Sequence, residues 1–126
     1  MHCLLEPIKS IHFSGSIIIK RLSKSSIFIK NTMEETAVGN DIIKLPNGLL
    51  EVEKPFKLFD MKKFQQNVNR ELKRQFPERY KLETQCISTI ALVKNENEVL
   101  DSPIWLMIIN IVALEMLKAK MPRLSG

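Results

Sequence analysis

Histidine is absent beyond His12, and His2 is the only other one. Most of the chain therefore lacks the commonest general base and the commonest metal ligand. Glycine is scarce as well, with four residues in 126. Gly39 and Gly48 stand alone, so the clustered glycines of a dinucleotide or phosphate-binding loop are missing. So few glycines also argue against an all-β fold with many turns. The two cysteines, Cys3 and Cys86, give neither a disulfide framework nor zinc-ligand spacing. Unpaired thiols fit a reducing compartment. Cys86 has no histidine in the body of the chain to activate it and is expected as a buried strand thiol. These absences point to a chain that is not an enzyme and that needs no cofactor or metal.

Acidic residues are missing from one region. Residues 1–32 carry five basic residues (Lys9, Lys20, Arg21, Lys24 and Lys30) against Glu6 alone, while 33–126 hold fourteen basic and thirteen acidic residues. Four of the five net positive charges thus lie in the first quarter, which is also rich in serine. Residues 1–32 are accordingly expected as a basic, Ser-rich leader, and 33–126 as the folded body. Three readings of the leader stay open. An acid-poor, Ser-rich segment has the composition of a mitochondrial targeting peptide. Met33 followed by a polar, acidic stretch reads as a natural start, which would make the leader an upstream extension. The β-branched runs Ile17–Lys20 and Ile27–Lys30, with a polar turn between them, read as a hairpin of the fold. Residues 31–40 have no hydrophobic period and are expected as a linker.

In the body, Pro46, Asn47 and Gly48 separate two apolar segments, 41–45 and 49–53. Asn-Gly accepts positive φ at low cost, so a β-hairpin is expected there. Asp60 then stands as a helix N-cap before Met61, Phe64, Val68, Leu72 and Phe76, whose spacing makes one apolar stripe. That helix is expected to run to Phe76 and to stop at Pro77. Residues 80–93, rich in β-branched types, read as a strand that enters the core. Ser102 and Pro103 suit the start of a last helix, Ile104–Leu117, in which only Asn110 and Glu115 are polar. Such a helix would rise only about 21 Å against the ~30 Å of a bilayer core, so a core or interface helix is favoured over a short tail anchor. The fold class expected is α+β, with a short antiparallel sheet packed by two helices in a single small domain.

Two surfaces are candidates for function. The apolar side chains Trp105, Met107, Ile108, Ile111, Val112 and Met116 surround the last helix on several sides, more than a core of about 94 residues needs. A protein partner or a second copy is expected to cover them. The second surface is basic. Lys62, Lys63, Arg70, Lys73, Arg74, Arg79 and Lys81 could track a phosphate backbone, with Tyr80 stacking a base. The passage Glu71–Ser88, through Arg79, Tyr80 and Lys81, also resembles the helix-to-strand junction of Tctex-type dynein light chains. That resemblance covers about 18 residues and implies a dimeric, non-enzymatic adaptor. The chain departs from that family after Ser88, where it lacks the Trp-Asp strand. The function expected is that of a non-enzymatic interaction protein, an adaptor or accessory subunit, in the cytoplasm or nucleus, with the mitochondrion as the alternative. Nucleic-acid binding and membrane attachment are the competing readings.

Overall fold

A computed structural model describes residues 8–13, 15–22, 24–30, 36–93 and 104–121. The fold is α+β, with two short antiparallel sheets and several helices in a single small domain. Strands β1 (Ile8–Phe13), β2 (Ser16–Arg21) and β4 (Pro55–Phe59) form one sheet in the order β1-β2-β4. Strands β3 (Ser26–Ile29), β5 (Ile87–Val93) and β6 (Ile104–Ile109) form the other in the order β3-β5-β6. The helices are α1 (Asn40–Ile43), α2 (Met61–Leu72), α3 (Arg79–Gln85) and α4 (Ile111–Lys120).

A single core joins both sheets, and it crosses the boundary expected between residues 32 and 33. Along β2 every second side chain turns inward, burying Ile17 and Ile19, and β3 does the same with Ile27 and Ile29. This is the period-2 pattern of a strand with one covered face. These isoleucines meet Leu58, Phe59, Phe64 and Ile90 from the rest of the chain in the same cluster. Arg21, assigned to the leader by composition, is largely buried. Its guanidinium donates to the Leu50 and Lys24 carbonyls, both at 2.7 Å.

The hairpin expected between the two isoleucine runs does not form. β2 pairs with β1 and β4, while β3 pairs with β5. Of the expected linker, residues 31–35 lie outside the described residues. Ala37 and Val38 are buried, and the Ala37 carbonyl accepts from the Asp60 amide at 2.7 Å.

The turn at Pro46 is also corrected. Asn47 and Gly48 do take positive φ, at 55° and 72°. What flanks them is the short helix α1 and a 3-10 turn, Pro46–Gly48, with only isolated bridges at Leu49 and Val52. Gly48 lies so close to the Ile29 backbone that a Cβ there would collide with the Ile29 carbonyl oxygen.

Helix α2 begins as expected: the Asp60 carboxylate accepts from the Lys62 and Lys63 amides. It ends at Leu72 rather than Phe76. Met61, Phe64 and Val68 are buried, but Leu72 and Phe76 are exposed and Glu71 takes the last inward position. Residues 79–85 are helix, not strand; the strand begins at Ile87.

The last expected helix divides in two. Ile104–Ile109 is a strand, and only Ile111–Lys120 is helical. Asn110, not Ser102, caps α4, its side-chain oxygen accepting from the Ala113 amide at 3.0 Å. Ser102 and Pro103 lie outside the described residues. Among the described residues no helix is long and apolar enough to cross a membrane.

Candidate partner-binding surface

β6 sits at the rim of its sheet, paired with β5 from Ile87↔Ile109 to Leu92↔Ile104. It holds six apolar residues and no charge. A strand alternates its side chains between faces, so Ile104, Leu106 and Ile108 share one face and Trp105, Met107 and Ile109 the other. The first face lies beside the buried Ser88, Ile90 and Leu92 of β5, and Ile108 packs partly on the core. The second face is open: Trp105 is 55% and Met107 63% exposed.

Asn110 turns this strand into α4 and ties the corner in place. Its backbone amide donates to the Cys86 carbonyl at 2.8 Å, and its side-chain amide donates to the Gly15 carbonyl at 2.7 Å. With α4 so fixed, Ala113 and Leu117 reach the core while Ile111 and Val112 stay exposed.

Of the six residues expected in a partner surface, Trp105, Met107, Ile111 and Val112 are therefore exposed and close in sequence. Ile108 and Met116 lean on the core. The structure adds Ile104, Leu106 and Ile109, which are exposed on the same strand.

The basic surface is largely engaged with its own carboxylates. Arg74 pairs with Glu71 at 3.2 Å and with Glu78 at 4.0 Å; Arg79 pairs with Glu83 at 3.2 Å and Lys81 with Glu78 at 3.6 Å. Lys63 donates to the Val38 carbonyl at 2.8 Å and to the Asn40 side chain at 3.1 Å. Lys62 and Arg70 on α2 and Lys73 just past its end are exposed and make no ion pair among the described residues.

The buried Glu71 carboxylate also accepts from the Glu78 amide at 2.7 Å, closing the turn between α2 and α3. That backbone hydrogen bond outweighs the cost of burial and, with the Arg74 charge, holds its pKa below the ordinary carboxylate range. A cavity of about 420 Å³ between α2 and α3 is lined by Asn67, Arg70, Glu71, Lys81, Thr84 and Gln85. The Asn67 side-chain amide crosses it to Gln85 at 2.9 Å. Burial, and then the charge of Glu83, push the Cys86 thiol up to about 12, so it is no nucleophile at neutral pH.

A family model, the MH2 domain, matches residues 8–111. The chain belongs to the MH2 domain family. The MH2 match takes in all six strands and the first three helices, and it ends at the first residue of α4. It includes β1, β2 and β3, the strands that composition had assigned to a leader. It also includes the passage that resembled a dynein light chain, whose Arg79, Tyr80 and Lys81 lie in the first turn of α3 and not in a strand. MH2 domains are protein–protein interaction domains that also mediate oligomerisation. A comparison with curated proteins finds no relative of the chain.

Proposed function

We propose that this MH2 chain is a non-enzymatic interaction module, an adaptor or accessory subunit, that takes its protein partner on β6 and the first turn of α4. One observation carries the reading. Of the twelve large hydrophobic residues exposed among the described residues, seven fall between Ile104 and Val112. Scattered apolar side chains are ordinary on a surface, but a run of them marks an interaction site. Trp105 and Met107 are of the types enriched at such sites and would anchor the contact. The basic surface supports binding less well, because four of its seven cations are already held by neighbouring groups. The setting that fits is intracellular, cytoplasmic or nuclear, as is typical of MH2-domain proteins.

Site-specific photo-crosslinking tests the reading. A photoreactive residue at Met107 or Val112 should capture one protein species, either this chain or another, when the chain is expressed in cells. The same residue at Lys62 should not capture it. Capture from Lys62 alone would move the partner surface to α2 and overturn the assignment.

A further inference from the structure

We propose that the turn between α2 and α3 docks on an anionic phospholipid surface, with Phe76 and Tyr80 entering the headgroup layer and the cations around them meeting the lipid phosphates. This surface uses other elements than β6 and goes beyond the partner reading above.

Phe76 and Tyr80 are the two most exposed large hydrophobic side chains among the described residues, at 76% and 74%. Leu72, where the turn begins, is exposed too. Every residue from Leu72 to Glu78 is exposed, so the segment stands out from the surface. It is nevertheless held from inside. The buried Glu71 carboxylate accepts from the Glu78 amide at 2.7 Å and pairs with Arg74 at 3.2 Å. Pro77 restricts its own backbone and that of Phe76 before it. The two rings are thus presented by a fixed turn, which lowers the ordering cost of docking them.

Cations gather at the same end of the helices. Arg70 lies in the last turn of α2, Lys73 and Arg74 in the turn itself, and Lys81 on α3. The Arg79 guanidinium donates to the Met121 carbonyl at 3.0 Å, which brings the end of α4, with Lys118 and Lys120, beside the start of α3. These six flanking cations are exposed. Of the carboxylates near them, Glu71 is buried and Glu83 pairs with Arg79, while Glu78 and Glu115 are exposed. The pairs Arg74–Glu78, Lys81–Glu78 and Lys118–Glu115 span 3.6 to 4.0 Å between exposed side chains. Such pairs are weak and leave their cations free to meet other anions.

Projecting aromatic rings among lysines and arginines suit the headgroup level of a bilayer, where apolar burial and charge act together. β6 carries no charge and lacks the second half of that combination. An acidic peptide would be expected to lie in a groove, but the cavity between α2 and α3 is lined by none of Leu72, Phe76 and Tyr80. A nucleic acid would use the cations and could stack on Tyr80, yet would leave Leu72 in water. The cytoplasmic leaflet carries the anionic lipids, which fits the setting proposed above.

Vesicle sedimentation of the full chain tests the proposal. The chain should pellet with vesicles of phosphatidylcholine mixed with phosphatidylserine and not with phosphatidylcholine alone. Lys73→Glu should weaken the partition about fivefold or more. Phe76→Ser should weaken it to a similar degree with circular dichroism and urea transition unchanged, because the ring is exposed. Fluorescence locates the contact, since Trp105 on β6 is the single tryptophan of the chain. Wild-type emission should not shift on binding, and Phe76→Trp should add a blue-shifted component quenched by brominated lipid. A chain that ignores the mixed vesicles overturns the proposal, as does one that binds them equally well as Phe76→Ser. A shift of Trp105 in the wild type would place the membrane on β6 and overturn it too. Retention of a single-stranded oligonucleotide without vesicle binding would assign the cations to nucleic acid instead. None of these outcomes bears on capture from Met107, which tests β6 separately.

Discussion

Deleting residues 1–32 is the perturbation that best separates the structure from what composition suggests. Charge and serine content mark that segment as a leader, and a chain starting at Met33 should then fold unaided. The structure implies the opposite. The deletion removes Ile17, Ile19, Ile27 and Ile29, each at most 1% exposed. At ~1.5–3 kcal/mol for each fully buried aliphatic side chain, the loss is about 6–12 kcal/mol. Single domains have only about 5–15 kcal/mol in total. The deletion also removes the hydroxyl of Ser16 that accepts from the Met61 amide and the Ile27 carbonyl that accepts from Leu50. Residues 33–126 alone should therefore give no cooperative urea transition by circular dichroism. Ile19→Ala in the full chain should lose ~2–5 kcal/mol and keep its transition. If residues 33–126 unfold cooperatively with the denaturant sensitivity of the full chain, the shared core described above is wrong.

Other outcomes follow from single side chains. Phe64→Ala should cost about 3–5 kcal/mol, since the ring is fully buried with its centroid 5.4 Å from that of Phe59, while Arg70→Ala should stay within ~0.5 kcal/mol; urea titration of both checks which face of α2 is inside. Glu71 has a folded pKa below its unfolded one, so its contribution is full above the ordinary carboxylate range and is lost as pH falls through the folded value. Stability measured from about pH 6 down to about pH 2 should fall on that acid limb, and less steeply in Glu71→Gln. With its thiol raised to about 12, Cys86 should react with a disulfide reagent at neutral pH only as the chain unfolds; reaction at the rate of a free thiol would refute its burial.

Helix α2 was legible because two independent signals coincide there, a capping aspartate and a 3.6-residue apolar period. The same period misled at its end. Leu72 and Phe76 continue the stripe, but α2 stops where Glu71 turns inward to hold the Glu78 amide. Residues 80–85 alternate apolar and polar as a strand would, yet Arg79 and Glu83 pair across one helical turn and Leu82 alone reaches the core. The run from Ile104 to Leu117 has no period at all, and a continuous apolar segment does not distinguish strand from helix. Its one informative residue was Asn110, which interrupts the run where the strand ends. The candidate surface was therefore visible as an excess of apolar side chains, while its form as a rim strand depended on pairing with β5. The turn at Asn47 and Gly48 shows a related limit, since positive φ was readable and the flanking pairing was not.

The division of β2 and β3 between two sheets has a consequence for how the chain acquires its structure. Neighbours in sequence, they cannot fold on each other. β2 finds β1 beside it in the chain but waits on its other edge for β4, some forty residues on, and β3 waits for β5, some sixty residues on. Closing loops of that length before any contact compensates makes such topologies slow to form. During synthesis, β3 has no strand to pair with until Ile87 and its successors emerge. Its apolar face, Ile27 and Ile29, is exposed through that interval, which is the condition under which nascent chains aggregate or recruit chaperones.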